Sequence, residues 1–134
     1  MSRRAVPTPA LFRHVRNGTL LYHHVIEAQG GRTIYIAGQL ARDKDGTLVG
    51  KGDMAAQIRQ VCENLRLALA AAGAEVRHLV KTNTYVTDID LFFKFLDVRN
   101  AFFGDDPPVS TTVEVRRLAG PDFLVEIDGV AVVD

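Results

Sequence analysis

The hydrophobic period changes along the chain, and the longest run of one period lies near its middle. Ile58, Val61, Cys62, Leu65, Leu69 and Ala72 recur at the i, i+3, i+4, i+7 spacing of one buried helical face. Gln57, Arg59, Gln60, Glu63, Asn64 and Arg66 fall largely on the opposite side. Asp53 can accept from the first free amides as N-cap, and Gly73 stands where the helix ends. Elsewhere the period is two. Val80, Thr82, Thr84 and Val86 alternate with Lys81, Asn83 and Tyr85 as in a strand. Leu20–Ala28 and Thr33–Gln39 read as two strands about a Gln29-Gly30-Gly31-Arg32 turn, and Thr47–Gly50 as a short extended piece after Asp45-Gly46. A second helix is expected from an Asp90 cap to about Phe103, closed by Gly104, with Phe92, Phe95, Leu96 and Phe102 on its apolar side. Pro107 and Pro108 forbid its continuation. Ser110–Val115 and Leu124–Val133 complete the pattern as the last strands, joined across Ala119-Gly120-Pro121-Asp122.

Strands, helix, strand, helix, strands is the order of an α+β domain whose sheet carries two helices on one face. Residues 1–18, mixing Pro, Arg and His without a period, read as a loose arm, and the domain runs over 19–134. No repeat, low-complexity tract or linker divides it.

Composition narrows the function. In 134 residues, 47% are hydrophobic, enough for one core without a disulfide scaffold. Sixteen basic residues balance sixteen acidic ones, which disfavours nucleic acid, where clustered Lys and Arg supply most of the affinity. The single cysteine, Cys62, excludes an internal disulfide and suits the cytoplasm. Pro7 and Pro9 interrupt the N-terminus before any signal-peptide core, and no apolar run approaches membrane-spanning length. The expectation is a soluble cytoplasmic domain with no membrane contact.

Several segments, in their order and spacing, carry a resemblance. They are Ile36-Ala37-Gly38-Gln39; Gln57 to Gly73, with Asn64-Leu65; Val80-Lys81-Thr82 with Tyr85-Val86-Thr87-Asp88; Phe102-Phe103; Val113-Glu114-Val115 with Arg117-Leu118; and Val125-Glu126-Ile127. Together they resemble the RidA/YjgF family, also called the L-PSP family. That resemblance implies a chorismate-mutase-like α+β fold, a mixed sheet with two helices on one face, and a homotrimer with clefts between subunits. It also implies hydrolysis of small imines or enamines to a ketone and ammonia, with no cofactor. In the family an arginine three residues before Val-Glu-Val holds the substrate carboxylate, a bidentate task suited to guanidinium. Here that position is Ser110, and no arginine lies between Arg99 and Arg116. The chain therefore reads as a divergent member with altered selectivity. Whether Arg99, Arg116 or an arginine of another chain takes over is left open. Thr112 stands where many members have cysteine, and Leu96 near a common asparagine.

The candidate residues follow. Glu126 matches the family's strand glutamate and is the candidate general acid or base, since a partly buried carboxylate can be tuned toward neutrality; the plain alternative is a structural charge. Gly38 matches a glycine whose amide lines the family cleft; otherwise it marks close packing. Alternation sets Ser110 and Thr112 on one strand face as two hydroxyl contacts for a ligand, against ordinary β-formers at a sheet surface. Tyr22 and His24 share parity near the family's cleft-mouth aromatic, and His23 diverges from them. Adjacent histidines diverge, and His14 and His78 lack partners at ligand spacing, so no metal is expected. Cys62 lies on the apolar stripe and reads as core. The basic arm, with Arg3, Arg4, Arg13 and Arg16, reads as a solvated segment or trimer contact. The leading expectation is an imine or enamine hydrolase acting on a small metabolite. The alternative is a non-catalytic trimer that binds one, and an endoribonuclease activity is disfavoured by the neutral charge.

Overall fold

A computed structural model describes residues 3–134. The strands are β1 (Arg3–Ala5), β2 (Val15–Arg16), β3 (Thr19–Leu20), β4 (Ile26–Ala28), β5 (Arg32–Gln39), β6 (Leu79–Val86), β7 (Val109–Glu114) and β8 (Val125–Val133). The helices are α1 (Met54–Ala71), α2 (Ile89–Lys94) and α3 (Leu96–Phe103), with a 3-10 turn at Val76–His78.

The main sheet has the order β5-β8-β6-β7, antiparallel except for the parallel β6–β7 pair. A parallel pair needs a crossover, and α2 and α3 supply it. Core residues alternate along the strands: Val125, Ile127 and Ala131 on β8, and Thr82, Thr84 and Val86 on β6, face the helices. The helices meet them with Ile58, Val61, Leu65 and Leu69 of α1, Phe92 of α2, and Leu96 and Phe103 of α3. The opposite sheet face carries Tyr35, Lys81, Asn83, Tyr85, Glu126 and Asp128 and has no helix over it.

The helix α1 begins at the Asp53 cap, whose side chain accepts from the Ala56 amide at 3.0 Å. It ends in a Schellman arrangement: Ala74 N–H reaches Leu69 O, Gly73 N–H reaches Ala70 O, and Gly73 takes a φ of 73°. Gln57 is not on a solvated side. It is fully buried, its Nε2 donates to Gly50 O (3.1 Å) and Asp122 O (2.9 Å), and its Oε1 accepts from Leu124 N–H (2.8 Å). One amide side chain thus fixes the loop that delivers β8.

Four further expectations need correction. The first strand is broken: Thr19–Leu20 pairs with Val15–Arg16, and Ile26–Ala28 pairs with Arg3–Ala5, so it does not return onto β5 as a hairpin. The Asn17-Gly18 turn between β2 and β3 has both residues at positive φ, 51° and 77°, as a two-residue hairpin demands. From Arg3 onward the N-terminal arm is consequently not loose. Arg3 anchors it by donating to Leu79 O (2.7 Å), Asp106 O (2.9 Å), Pro107 O (2.9 Å) and the Asp106 carboxylate (2.7 Å). The second helix is capped by Asp88, which accepts from Leu91 N–H at 3.0 Å, so the helix starts at Ile89 and Asp90 lies inside its first turn. That helix also divides at Phe95, where i→i+3 bonds tighten the chain, and its buried seam is Phe92, Leu96, Arg99, Asn100 and Phe103 with Phe95 left outside.

Candidate functional site

Two separate groups of candidate residues emerge, one on each side of the sheet. On the helix side, β7 is the edge strand, and its register with β6 sets Ser110 beside Thr82 and Thr112 beside Thr84. Thr82 Oγ1 donates to Ser110 Oγ at 3.2 Å. Ser110 and Thr112 therefore look toward α3 and the N-terminal segment, across a cleft of about 320 Å³. Tyr22, His14, His24 and Arg99 line the same cleft. Tyr22 packs edge-on against His14 and His24, with ring centroids 6.2 and 5.3 Å away. His24 Nε2–H donates to Phe12 O at 2.6 Å, which fixes the ring. His23 points elsewhere, to Asp106 Oδ1 at 2.6 Å. Tyr22, His23 and His24 lie in irregular chain between β3 and β4, not on a continuous strand.

Arg99 is the feature that sequence reasoning left undecided. It sits on α3 with 3% of its surface exposed, its guanidinium 4.7 Å from the centre of the Phe103 ring. Nη1 donates to Leu21 O (2.6 Å) and Asn100 Oδ1 (2.9 Å). Burial pushes its pKa down to about 10, so it stays charged at neutral pH. The spacing Phe92, Leu96, Arg99, Phe103 was the available signal, because steps of four, three and four residues place Arg99 in the buried seam. Arg116, the other arginine considered, follows the end of β7 and is exposed.

On the open face, Glu126 of β8 lies against Gly38 of β5. A Cβ at Gly38 would fall 1.9 Å from Glu126 Oε2 and 2.8 Å from its Cδ. The glycine is there because the carboxylate occupies the space a side chain would need. Beside it, Asp128 Oδ1 accepts from the backbone and side-chain amides of Asn83 (3.2 and 3.1 Å), and Tyr85 donates to Asp128 Oδ2 at 3.2 Å. The Asp128 charge, then desolvation, raises the Tyr85 pKa, so this hydroxyl remains a donor. Glu126 itself makes no side-chain hydrogen bond among the described residues.

Within one chain the two groups do not meet. Glu126 pairs across with Tyr85, and Thr84 with Thr112, so the carboxylate and the hydroxyls leave opposite faces of the sheet. Among the described residues, no three of His, Cys, Asp and Glu gather in a metal-binding cluster, and no helix is long and apolar enough to cross a membrane. Cys62 is buried, and desolvation pushes its thiol up to about 12, the state of a core residue and not of a nucleophile.

The family model for endoribonuclease L-PSP matches residues 18–133. The chain belongs to this family. It is the RidA/YjgF family named from the sequence. A RutC family protein of Pyrococcus horikoshii is 40% identical over 111 residues, covering 82% of this chain and 85% of the relative. Among solved structures, the Rid family protein YyfB of Yersinia pestis, described as of unknown function, superposes with a TM-score of 0.88 at 33% identity. That alignment covers 99% of this chain and all of the other. The YjgF gene product of Escherichia coli gives 0.69 at 34% identity, over 78% and 84% of the two chains. The RidA/YjgF members share the architecture found here, a mixed α+β sheet with its helices on one face.

Proposed function

We propose that this RidA/YjgF member hydrolyses a small imine, enamine or related metabolite in the cytoplasm, at a cleft completed between the subunits of a homotrimer. The observation that carries the reading is the separation of the two residue groups by the sheet. One chain holds the Ser110 and Thr112 hydroxyls with Tyr22 and His24 on the helix side, and Glu126 against Gly38 on the open side. A substrate can touch both only where the open face of one subunit meets the cleft of the next. The uncovered sheet face supports such a contact, since it leaves Tyr35 80% exposed and Val113 41% exposed. Ser110 and Thr112 orient the substrate as neutral donors or acceptors. Glu126 takes a proton from the attacking water and returns it to the leaving nitrogen, a role within reach of a carboxylate free of structural hydrogen bonds. With Ser110 where the family has its arginine, the strand itself offers no cation, and selectivity is altered accordingly.

The second reading is a trimer that binds a small metabolite without turning it over. Its support is that no hydrogen-bonding neighbour among the described residues orients Glu126, whereas acid–base residues are usually held by one. Ammonia release from a panel of freshly generated imines, acidic and neutral, with Glu126→Gln as control, decides between them. Acceleration that disappears in the control upholds the hydrolase, and no acceleration on any imine leaves the binding trimer. Light scattering tests the assembly, and a monomer at micromolar concentration refutes both.

A further inference from the structure

We propose that Arg99 is the anion-receiving residue of the Ser110 cleft and selects ligands that carry a carboxylate, with Ser110 and Thr112 completing their recognition. The inference rests on the cleft assigned above and names what its occupant must present. It moves the cation from the edge strand to helix α3, deeper in the molecule.

An arginine that is 3% exposed is expected to be paired, because an uncompensated buried charge is strongly unfavourable. Among the described residues, no carboxylate lies within ion-pair distance of Arg99. Its two hydrogen bonds go to neutral oxygens, and both leave from Nη1. Nε and Nη2, the edge of the fork that meets a carboxylate side-on with two parallel bonds, have no acceptor among the described residues. Nor are these nitrogens sealed in: the described buried side-chain atoms lacking a partner are Thr84 Oγ1 and Asn100 Nδ2. Arg99 borders the cleft of about 320 Å³ together with Ser110 and Thr112, and no Asp or Glu of the same chain is among the residues lining it. The Phe103 ring and the Leu21 carbonyl hold the guanidinium still, so a ligand meets a donor edge that is already oriented. A cleft of this size suits a ligand of few heavy atoms.

Calorimetric titration of butyrate and its neutral counterpart butyramide tests the assignment, using the full chain in its native assembly. Wild type is expected to prefer butyrate by about tenfold or more, the worth of charge-assisted hydrogen bonds. Arg99→Met should abolish the preference, and Arg99→Lys, which keeps the charge but not the fork, should retain part of it. A purely structural arginine would lower the melting temperature of both variants and leave the butyrate-to-butyramide ratio unchanged. That result, or a wild type indifferent to the carboxylate, overturns the proposal. If Arg99→Met does not fold, the ratio in Arg99→Lys decides. Glu126→Gln should keep the butyrate preference. Absence of imine turnover with an Arg99-dependent preference would thus refute the hydrolase alone, and turnover with an unchanged preference in the Arg99 variants would refute this assignment alone.

Discussion

Replacing Gly38 by alanine separates the use of Glu126 from the stability of the sheet. The new methyl would lie 1.9 Å from Glu126 Oε2, 2.8 Å from Cδ and 3.0 Å from Cγ. All three are atoms of a flexible side chain, so the carboxylate must swing away by well over an ångström while the strand stays in place. Gly38 is not in the left-handed region, so alanine adopts its backbone conformation without strain. Forcing Glu126 off its rotamer costs about 0.5–1.5 kcal/mol. Losing a glycine from the unfolded chain returns about 0.4–1 kcal/mol. The two nearly cancel, and the melting temperature should move by no more than about 5 °C. Under the proposed hydrolase, turnover responds differently, since a displacement of about 1 Å in a catalytic group costs on the order of 10²-fold. Gly38→Ala should therefore release ammonia from imines as slowly as Glu126→Gln, with its melting curve close to wild type. Wild-type turnover in Gly38→Ala would refute the placement of Glu126 at the reacting atoms. A collapse of the melting transition would instead make Gly38 a packing residue of the sheet.

The remaining predictions concern the supports of the two clefts. Gln57→Leu leaves the Gly50 and Asp122 carbonyls and the Leu124 amide without their partner, and should cost about 2–4 kcal/mol, read as a lower urea midpoint with an unchanged slope. Cys62 should resist alkylation at pH 8 in the native protein and react promptly in urea, because burial raises its thiol to about 12 even with Arg99 nearby. Burial alone would raise Asp106, but hydrogen bonds from Arg3 and His23, with their charges, outweigh it and hold the carboxyl below its ordinary 3.8. A carboxyl lowered in this way contributes stability above its unfolded value and loses it as pH falls through the folded one. The melting-temperature gap between wild type and Asp106→Asn should therefore be present at pH 7, small because the side chain is largely exposed, and should close below about pH 4. A gap that widens in acid would reverse the assigned sign.

The parts of the fold that were legible in the sequence are those governed by one period and a local cap. Helix α1 shows this: its stripe, the Asp53 cap and Gly73 all appear where the spacing put them. Gln57 escaped because helical period separates polar from apolar but cannot see that a buried amide will be satisfied by three backbone groups, two of them more than sixty residues away. The arm escaped for a similar reason. Arg3 is fixed by Leu79, Asp106 and Pro107, partners its own neighbourhood does not contain, although Asn17-Gly18 was a local hairpin signal that went unused. Strand parity correctly grouped Ser110 with Thr112, and the structure groups Glu126 with Asp128 by the same alternation. Parity could not say that the two pairs leave opposite faces, because that depends on the parallel β6–β7 register.

That register also bears on how a β7 strand that carries no arginine can border a cleft reached by one. Ser110 Oγ accepts from Thr82 and sits on the helix side of the sheet, so the space a longer side chain would fill lies between β7 and α3. A serine there leaves that space open, and Arg99 borders it from the helix. The cation is then fixed by main-chain and aromatic contacts of the same subunit, at a desolvation cost that no acid in the chain offsets. Such a cost is sustained where a ligand repays it on binding. Ligand-free protein should accordingly gain more melting temperature from a bound carboxylate than from its neutral amide, and the excess should vanish in Arg99→Met. An equal gain from both ligands would mean the buried charge serves only to hold Leu21 against α3.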